Sequence, residues 1–387
     1  MIKHRKQPGK SRLNVETASP TALKADDVSR WQAIQQTVPG LGSPLFSPQF
    51  ARLMARYRDD TRVAVARDAD GTACAFLPYQ HRPDGLGRPL GAPFGDYQAV
   101  VTGNLAGFDL RAFLAGAGIR TFAFSGLVAA DAMPVTAGLP TAVSYQVALD
   151  GSAADYLEAL RAGSPKRYKN WRRLGHKTER EIGPLSMVAP DRDPAILRQL
   201  LDWKATQMVR TGVTNVLRPD WVRGMMAELL ETSDDGFGGL MITLWAGRTL
   251  LAGHFGIRLG GVFHPWMAAI NPDYQAYSPG QTFILSAIGE MNQLGLTTYD
   301  LGTGHAHYKE PFCNVFPEVA SGAVDSATGT ARAPQRSLIG RLFSRIDHIA
   351  SVELTLGGRI GGILAVVRHA GARLRHRDED AANEMGA

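Results

Sequence analysis

The sequence predicts an α+β protein built from two copies of one domain, each a mixed central sheet flanked by helices. Three observations carry the prediction. Segment 63–149 can be laid on 240–326 at one constant offset of 177, with strands, a turn, a glycine and a proline agreeing along it. Within each copy short alternating apolar runs precede one stripe of helical spacing, so antiparallel hairpins come first and a crossover helix joins the later strands. Each copy also follows a helix that opens with proline.

Taken in order, residues 1–12 hold five basic and no acidic residues, and 1–26 reads as a disordered basic arm. The first domain, 27–150, has its helix at Ser47-Pro48, with Phe50, Leu53, Met54 and Tyr57 on one face. VAVARDADGTACAFLPYQ (63–80) gives two strands around a turn and meets LMITLWAGRTLLAGHFGI (240–257) in the repeat. The tetrapeptide DYQA recurs at 96–99 and 273–276, Gly118 falls on Gly295, and Pro140 meets Pro317. AVSYQVAL (142–149) is the last strand. A helical basic insert, 151–218, has helices starting at Ser164-Pro165 and Asp193-Pro194. The second domain, 219–327, opens with Pro219 and the stripe Val222, Met225, Met226, Leu229. Its crossover helix has Ser278 as N-cap, Pro279 at the first position, an apolar face of Phe283, Ile284, Ala287, Ile288 and Met291, and Gly295 at its end. From 328 to 387 a small, polar linker leads to Leu338, Leu342, Ile346 and Ile349, an amphipathic helix expected to dock on the body.

The 387 residues suffice for a large core without a metal or disulfide staple. A 44% apolar and 20% charged composition is that of a globular protein, and no apolar run reaches membrane-spanning length. The net charge of +6 is local: residues 1–12 supply +5 and 166–180 supply +6, leaving −5 elsewhere. Any polyanion partner must therefore meet those two stretches. Only Cys74 and Cys313 occur, and no apolar run follows the basic start, so a reducing, cytoplasmic setting is expected. GxSxG, Walker A and CxxC patterns are absent, which leaves hydrolase, NTPase and zinc-ribbon readings without support.

The order of hairpin, strand, Ser-Pro-Gly-initiated helix and short strand resembles the GCN5-related N-acyltransferase (GNAT) fold, in tandem. More narrowly, FSPQFARLMARY, LGAPFGDYQ, SPKRYKNWRR, HPWMAAINPDYQAYSPGQTFILSAI and YDLGTGHAHYKEPFCN resemble the bacterial CelD/BcsL-type (BioF-like) acetyltransferases linked to cellulose and exopolysaccharide synthesis. The resemblance covers roughly 30–325 and implies acetyl-CoA as acyl donor. It also implies a small sugar or glycan acceptor and an association with polysaccharide-synthesis machinery; no DNA partner is expected, and a membrane surface is the less favoured target of the mildly basic tail. Fem-type aminoacyl transferases share the tandem pattern, and a non-catalytic subunit of a polysaccharide synthase is the third reading.

In such a fold strands 262–270 and 297–301 splay apart, and the free N–H groups at the start of helix 279–294 face the gap, where an anion is favoured. Ser278, Gly280, Gln281 and Thr282, with Trp266 and Met267 on the splayed strand, would then contact the donor. The usual acetyl-CoA loop carries Arg or Gln and two spaced glycines, whereas AYSPG (276–280) has one glycine and no basic residue. His254 is the candidate base. Asp300, at a strand end, is a second. Tyr308 and Lys309 are candidates to protonate a leaving group or bind an anion. His264 and, on the basic helix, Arg167, Trp171 and Arg172 are candidate substrate contacts. The bland alternatives are a satisfied core histidine, a turn-capping Asp, a packed Tyr, a surface Lys, and an aromatic stripe packed on the sheet. At offset 177, Asp300 falls on Ala123, His254 on Leu77 and His264 on Gly87, so the second copy is expected to carry the chemistry. No metal is implied, HxH at His305 and His307 being a weak signal.

Overall fold

Proline-led apolar stripes become helices and alternating runs become strands, and the two sets sort into two units. The computed structural model describes residues 14–105, 107–129, 132–234, 236–334, 346, 349–355 and 357–362. The first unit comprises the described residues to Tyr145, with Gly302–Ala306 and Val315–Pro334; the second comprises Gln146–Leu301, His307–Asn314 and the described residues beyond 345.

The chain first forms β1 (Asn14–Ala18), α1 (Ala25–Thr37), α2 (Pro48–Tyr57), β2 (Thr61–Arg67), β3 (Ala73–His81), β4 (Leu86–Pro89), β5 (Val101–Thr102), α3 (Leu110–Gly116), β6 (Thr121–Val128) and β7 (Thr141–Ala148). Ser47 Oγ accepts from the Phe50 N–H and caps α2, whose Phe50, Leu53 and Met54 are buried. β1 to β4 pair antiparallel in sequence order, and β4 runs parallel to β6. Phe113, Leu114, Ile119, Phe122 and Leu127 close the core over Leu77 and Tyr79.

The second unit follows with α4 (Ala153–Gly163), α5 (Pro165–Glu181), β8 (Leu185–Val188), α6 (Pro194–Arg210), α7 (Asp220–Glu231), β9 (Ser233–Asp234), β10 (Phe237–Ala246), β11 (Thr249–Leu259), β12 (Val262–Ile270), α8 (Pro279–Glu290), β13 (Thr298–Thr303) and α9 (Ala306–Lys309). Its sheet order is β8-β10-β11-β12-β13, antiparallel as far as β12 and parallel between β12 and β13. Leu200 of α6 packs where Gly253 leaves no side chain, and α7 backbone lies against Gly239, so these two helices cover one face. Phe283 of α8 meets His254 on β11.

The repeat is longer than the offset of 177 implies. β1-α1-α2-β2-β3-β4-α3-β6 and β8-α6-α7-β10-β11-β12-α8-β13 are the same succession, so β8 and α6 belong to the second copy and only α4 and α5 are inserted, not all of 151–218. Four further expectations change. Residues 14–26 are no disordered arm: β1 pairs with β2, and the Arg67 guanidinium bonds both Glu16 and Asp27, pinning β1 and α1 together. The last strand of the second copy, β14 (Glu318–Asp325), lies in the first unit between β6 and β7. Residues 325–332 form a hairpin to β15 (Ala331–Arg332), because Asp325 Oδ1 accepts from the Ala327 and Thr328 N–H groups and Gly329 takes φ +70°. α8 ends at Glu290 and Ser278 makes no side-chain cap, since its own backbone is left-handed at φ 51°. In the tail, Leu338 and Leu342 lie outside the described residues. Ile349 and Val352 are buried, the Val352 carbonyl accepts from Trp221 Nε1, and Glu353 pairs with Arg218.

Candidate active site

β12 and β13 are registered as parallel neighbours at only two pairs, Val262 with Thr298 and Phe263 with Tyr299, and then part. The opening is helped by a bulge: Met267 pairs with Phe255 and Pro265 with Gly256, so Trp266 is the extra residue on β12. Any Cβ on Gly256 would run into the backbone of His264 and Pro265, so only glycine admits this bulge. Trp266 is half-buried at the bulge, while the Met267 side chain is only 3% exposed and spent in the core.

His254 and Tyr299 share a hydrogen bond of 2.6 Å through Nδ1 and the phenol oxygen, with Phe283 over the imidazole. Burial, with the charges of Lys204 and Lys309, pushes His254 down to about 3. The candidate base therefore holds a proton only weakly, because no carboxylate offsets its desolvation. Burial likewise drives Tyr299 well above a phenol's ordinary value. Lys204 of α6 is itself lowered by burial and, among the described residues, has no ion-pair or hydrogen-bond partner.

Asp300 is 2% exposed and its Oδ2 accepts from Gln146 Nε2 at 2.9 Å. His264 Nδ1 stands 3.7 Å from the same oxygen. With no exposed surface, His264 meets Asp300 rather than a substrate directly, because it continues the closed part of the β12 and β13 pairing. Cys313 is pushed up to about 12 by burial, eased by Lys309 and reinforced by Asp300, so it is a protonated thiol and not a nucleophile. The Tyr308 hydroxyl, raised by burial, lies against the Cα of Gly280, where a Cβ would strike it. Tyr308 also acts on Tyr299. His254, Tyr299, Tyr308 and Gly280 thus form one connected group, with Asp300, Lys309 and Cys313 beside it.

At the start of α8 the Gln281 N–H already donates to the Ser278 carbonyl, which removes it from the expected anion donors. Thr282 is 6% exposed and its hydroxyl has no hydrogen-bond partner among the described residues. Lys177 of α5 sits 4.8 Å over the Tyr277 ring, which places a cation near a loop that has none of its own. The first unit differs at each equivalent point. There the space where β4 and β6 part is filled by the unit's own chain: Gln98 Oε1 accepts from the Ser125 and Gly126 N–H groups, and Gly126 has no room for a Cβ beside Asp96. α3 is capped by the Asp109 carboxylate, which donor phosphates would meet as a like charge.

On α5, Trp171 is 2% exposed and stacked on Phe312 at 4.2 Å, with Tyr168 on its edge. It is a packing residue, so its assignment as a substrate contact is corrected. Lys166, Arg167, Lys169 and Arg172 are exposed and have no acidic partner among the described residues. Among the described residues no group of three or more His, Cys, Asp or Glu side chains is placed to hold a metal ion, and no helix is long and apolar enough to cross a membrane. Sequence reasoning missed Tyr299, Gln146 and Lys204. Only Lys204 carried a signal: it falls in the apolar phase of α6 set by Leu197, Leu200 and Leu201.

Residues 165–310 match the family model described as acetyltransferase (GNAT) domain. A search of curated proteins found no match. The fold is similar to the crystal structure of FemX, at 11% identity and TM-score 0.51 over 80% of this chain and 96% of that one. It is also similar to a tandem GNAT protein from the clavulanic acid biosynthesis pathway, at 12% identity and TM-score 0.44 over 81% and 98%. L-PGS from Bacillus licheniformis matches at 13% identity and TM-score 0.45 over 82% and 97%.

Proposed function

We propose that this acyltransferase, whose residues 165–310 form a GNAT acetyltransferase domain within a GNAT-like mixed-sheet fold, takes its acyl group from acetyl-CoA and passes it to an amine or hydroxyl of a sugar or glycan precursor. The exopolysaccharide setting rests on the CelD/BcsL-like motifs. One contrast carries the donor reading: the second unit leaves the start of α8 without a side-chain cap and with an unpartnered buried Thr282 hydroxyl, where the first unit fills and caps the equivalent place. Thr282 and the Ser278–Gly280 turn, with Lys177 nearby, are the groups that would hold the donor phosphates.

A bound thioester supplies an activated carbonyl, and the acceptor's N–H or O–H loses its proton as the new C–N or C–O bond forms and the C–S bond breaks. Asp300, oriented by Gln146 and flanked by His264, takes that proton. Tyr308, kept protonated by burial at Gly280, returns one to the departing thiolate, and the Lys309 charge favours the anion before it is quenched. His254 stays neutral and holds the Tyr299 hydroxyl in place on the side of Tyr308.

A thermal-shift titration of acyl-CoAs combined with a free-thiol assay tests this. Acetyl-CoA at 100 times its Kd should stabilise the protein by about 3 kcal/mol, and Asp300→Ala should keep that shift while losing turnover. No stabilisation by any acyl-CoA at millimolar concentration overturns the donor assignment. A second reading, aminoacyl transfer from aminoacyl-tRNA of the Fem kind, is favoured by the exposed cationic start of α5 and by the loop's single glycine without a basic residue.

A further inference from the structure

The inference drawn here rests on the acyl-transfer reading and concerns where the acceptor is held. α6, the end of β12 and the turn before α8 enclose an open cleft of about 140 Å³ lined by Trp203, Thr206, Gln207, Arg210, Ala269 and Gln275. The turn before α8 ties it to the chemistry: the Gln275 carbonyl accepts from the N–H of Ser278 at the start of α8. Its floor, Ala269, shares a sheet face with Gly253, against which Leu200 of α6 packs. Lys204, next to Trp203 on α6, is close enough to His254 for its charge to act there.

The lining has the chemistry of a saccharide site. A pyranose has one face of C–H groups that packs on an indole, and Trp203 is half-buried with its neighbours leaving it partly open. Sugar hydroxyls both donate and accept, which matches the two amides, Gln207 and Gln275, and the Thr206 hydroxyl. Arg210 is exposed and has no carboxylate partner among the described residues, so an anion on the ligand is met rather than repelled. We infer that this cleft binds the acceptor as a sugar ring carrying a negatively charged substituent, stacked on Trp203 with the charge at Arg210.

Isothermal titration with glucose 6-phosphate, glucuronate and glucose, with and without saturating CoA, tests the inference. At least one charged sugar should bind ten-fold or more tightly than glucose, and whichever responds identifies phosphate or carboxylate as the anion. Arg210→Gln, at an exposed position that leaves the fold intact, should reduce the charged sugar to the level of glucose, and Trp203→Leu should weaken all binding sugars about ten-fold. CoA should leave sugar affinity unchanged. Displacement of the sugar by CoA would make the cleft a nucleotide site and overturn the inference, as would equal affinities in Arg210→Gln and wild type, or no sugar binding at all. A protein that binds CoA but no sugar defeats this inference alone; one that binds the charged sugar but no CoA defeats the donor reading alone.

Discussion

The phenol oxygen of Tyr299 lies 2.6 Å from Nδ1 of His254, and the charges bearing on that imidazole come from Lys204 and Lys309. The ring is therefore neutral at physiological pH, and its folded pKa of about 3 lies below the ordinary 6.5. Between those values the unfolded chain binds a proton that the folded chain refuses, so stability falls as the pH drops from 6.5 towards 3. The expected contribution is about 1 kcal/mol per pH unit. Urea denaturation at pH 7, 6 and 5 should show the slope in wild type and lose that component in His254→Asn. A ¹⁵N imidazole signal that stays neutral at pH 5 is the direct check.

How far the sequence reaches follows from the same residues. The repeat, the hairpins and the helices that open at Pro48, Pro165, Pro194 and Pro279 were legible because period, caps and proline are local signals. Strand β14 was misplaced because nothing local tells a strand which sheet edge it will join. β1 was hidden just after a basic, polar start, and the guanidinium of Arg67, 51 residues from Glu16, supplies the contact that orders it. In the site, Asp300 was visible as a strand carboxylate, though it lies within β13 rather than at its end, and Gln146 reaches it across 154 residues with no pattern to reveal it. That the candidate base His254 stays neutral was not legible, because burial, not residue type, sets its pKa.

Asp300→Asn keeps size and hydrogen-bonding reach but cannot take a proton. Turnover should fall by about 10²–10⁴-fold, the usual worth of a general base, with donor affinity within two-fold of wild type. Gln146→Leu should lower turnover less, because it loosens the carboxylate without removing it. Full activity in Asp300→Asn, measured as CoA thiol release, would remove Asp300 from the mechanism.

Gly280 has its Cα against the Tyr308 hydroxyl, so Gly280→Ala must displace that ring. The backbone at 280 is helical and tolerates alanine, which makes the clash the main cost, about 1–3 kcal/mol for overpacking. Tyr308→Phe removes the obstructing oxygen. A double-mutant cycle should therefore show Gly280→Ala costing clearly less stability in the Tyr308→Phe background, while both single variants lose turnover because both disturb the proton donor to the thiolate.

Helix α5 separates two roles that its sequence interleaves. Trp171 is buried on Phe312, so Trp171→Ala should cost about 3–5 kcal/mol of stability. Arg167 and Arg172 are exposed on the same helix, and Arg167→Glu with Arg172→Glu should leave the melting temperature nearly unchanged. Their test is ionic. If α5 engages a polyanionic donor such as tRNA, binding should weaken steeply between 50 and 200 mM salt in wild type, and the double charge reversal should both weaken it and flatten its salt dependence. If the donor is acetyl-CoA held at α8, the reversal should leave its affinity within about two-fold, because Lys177, the α5 cation over Tyr277 next to that turn, lies beyond both arginines on the helix and is unaltered in the variant.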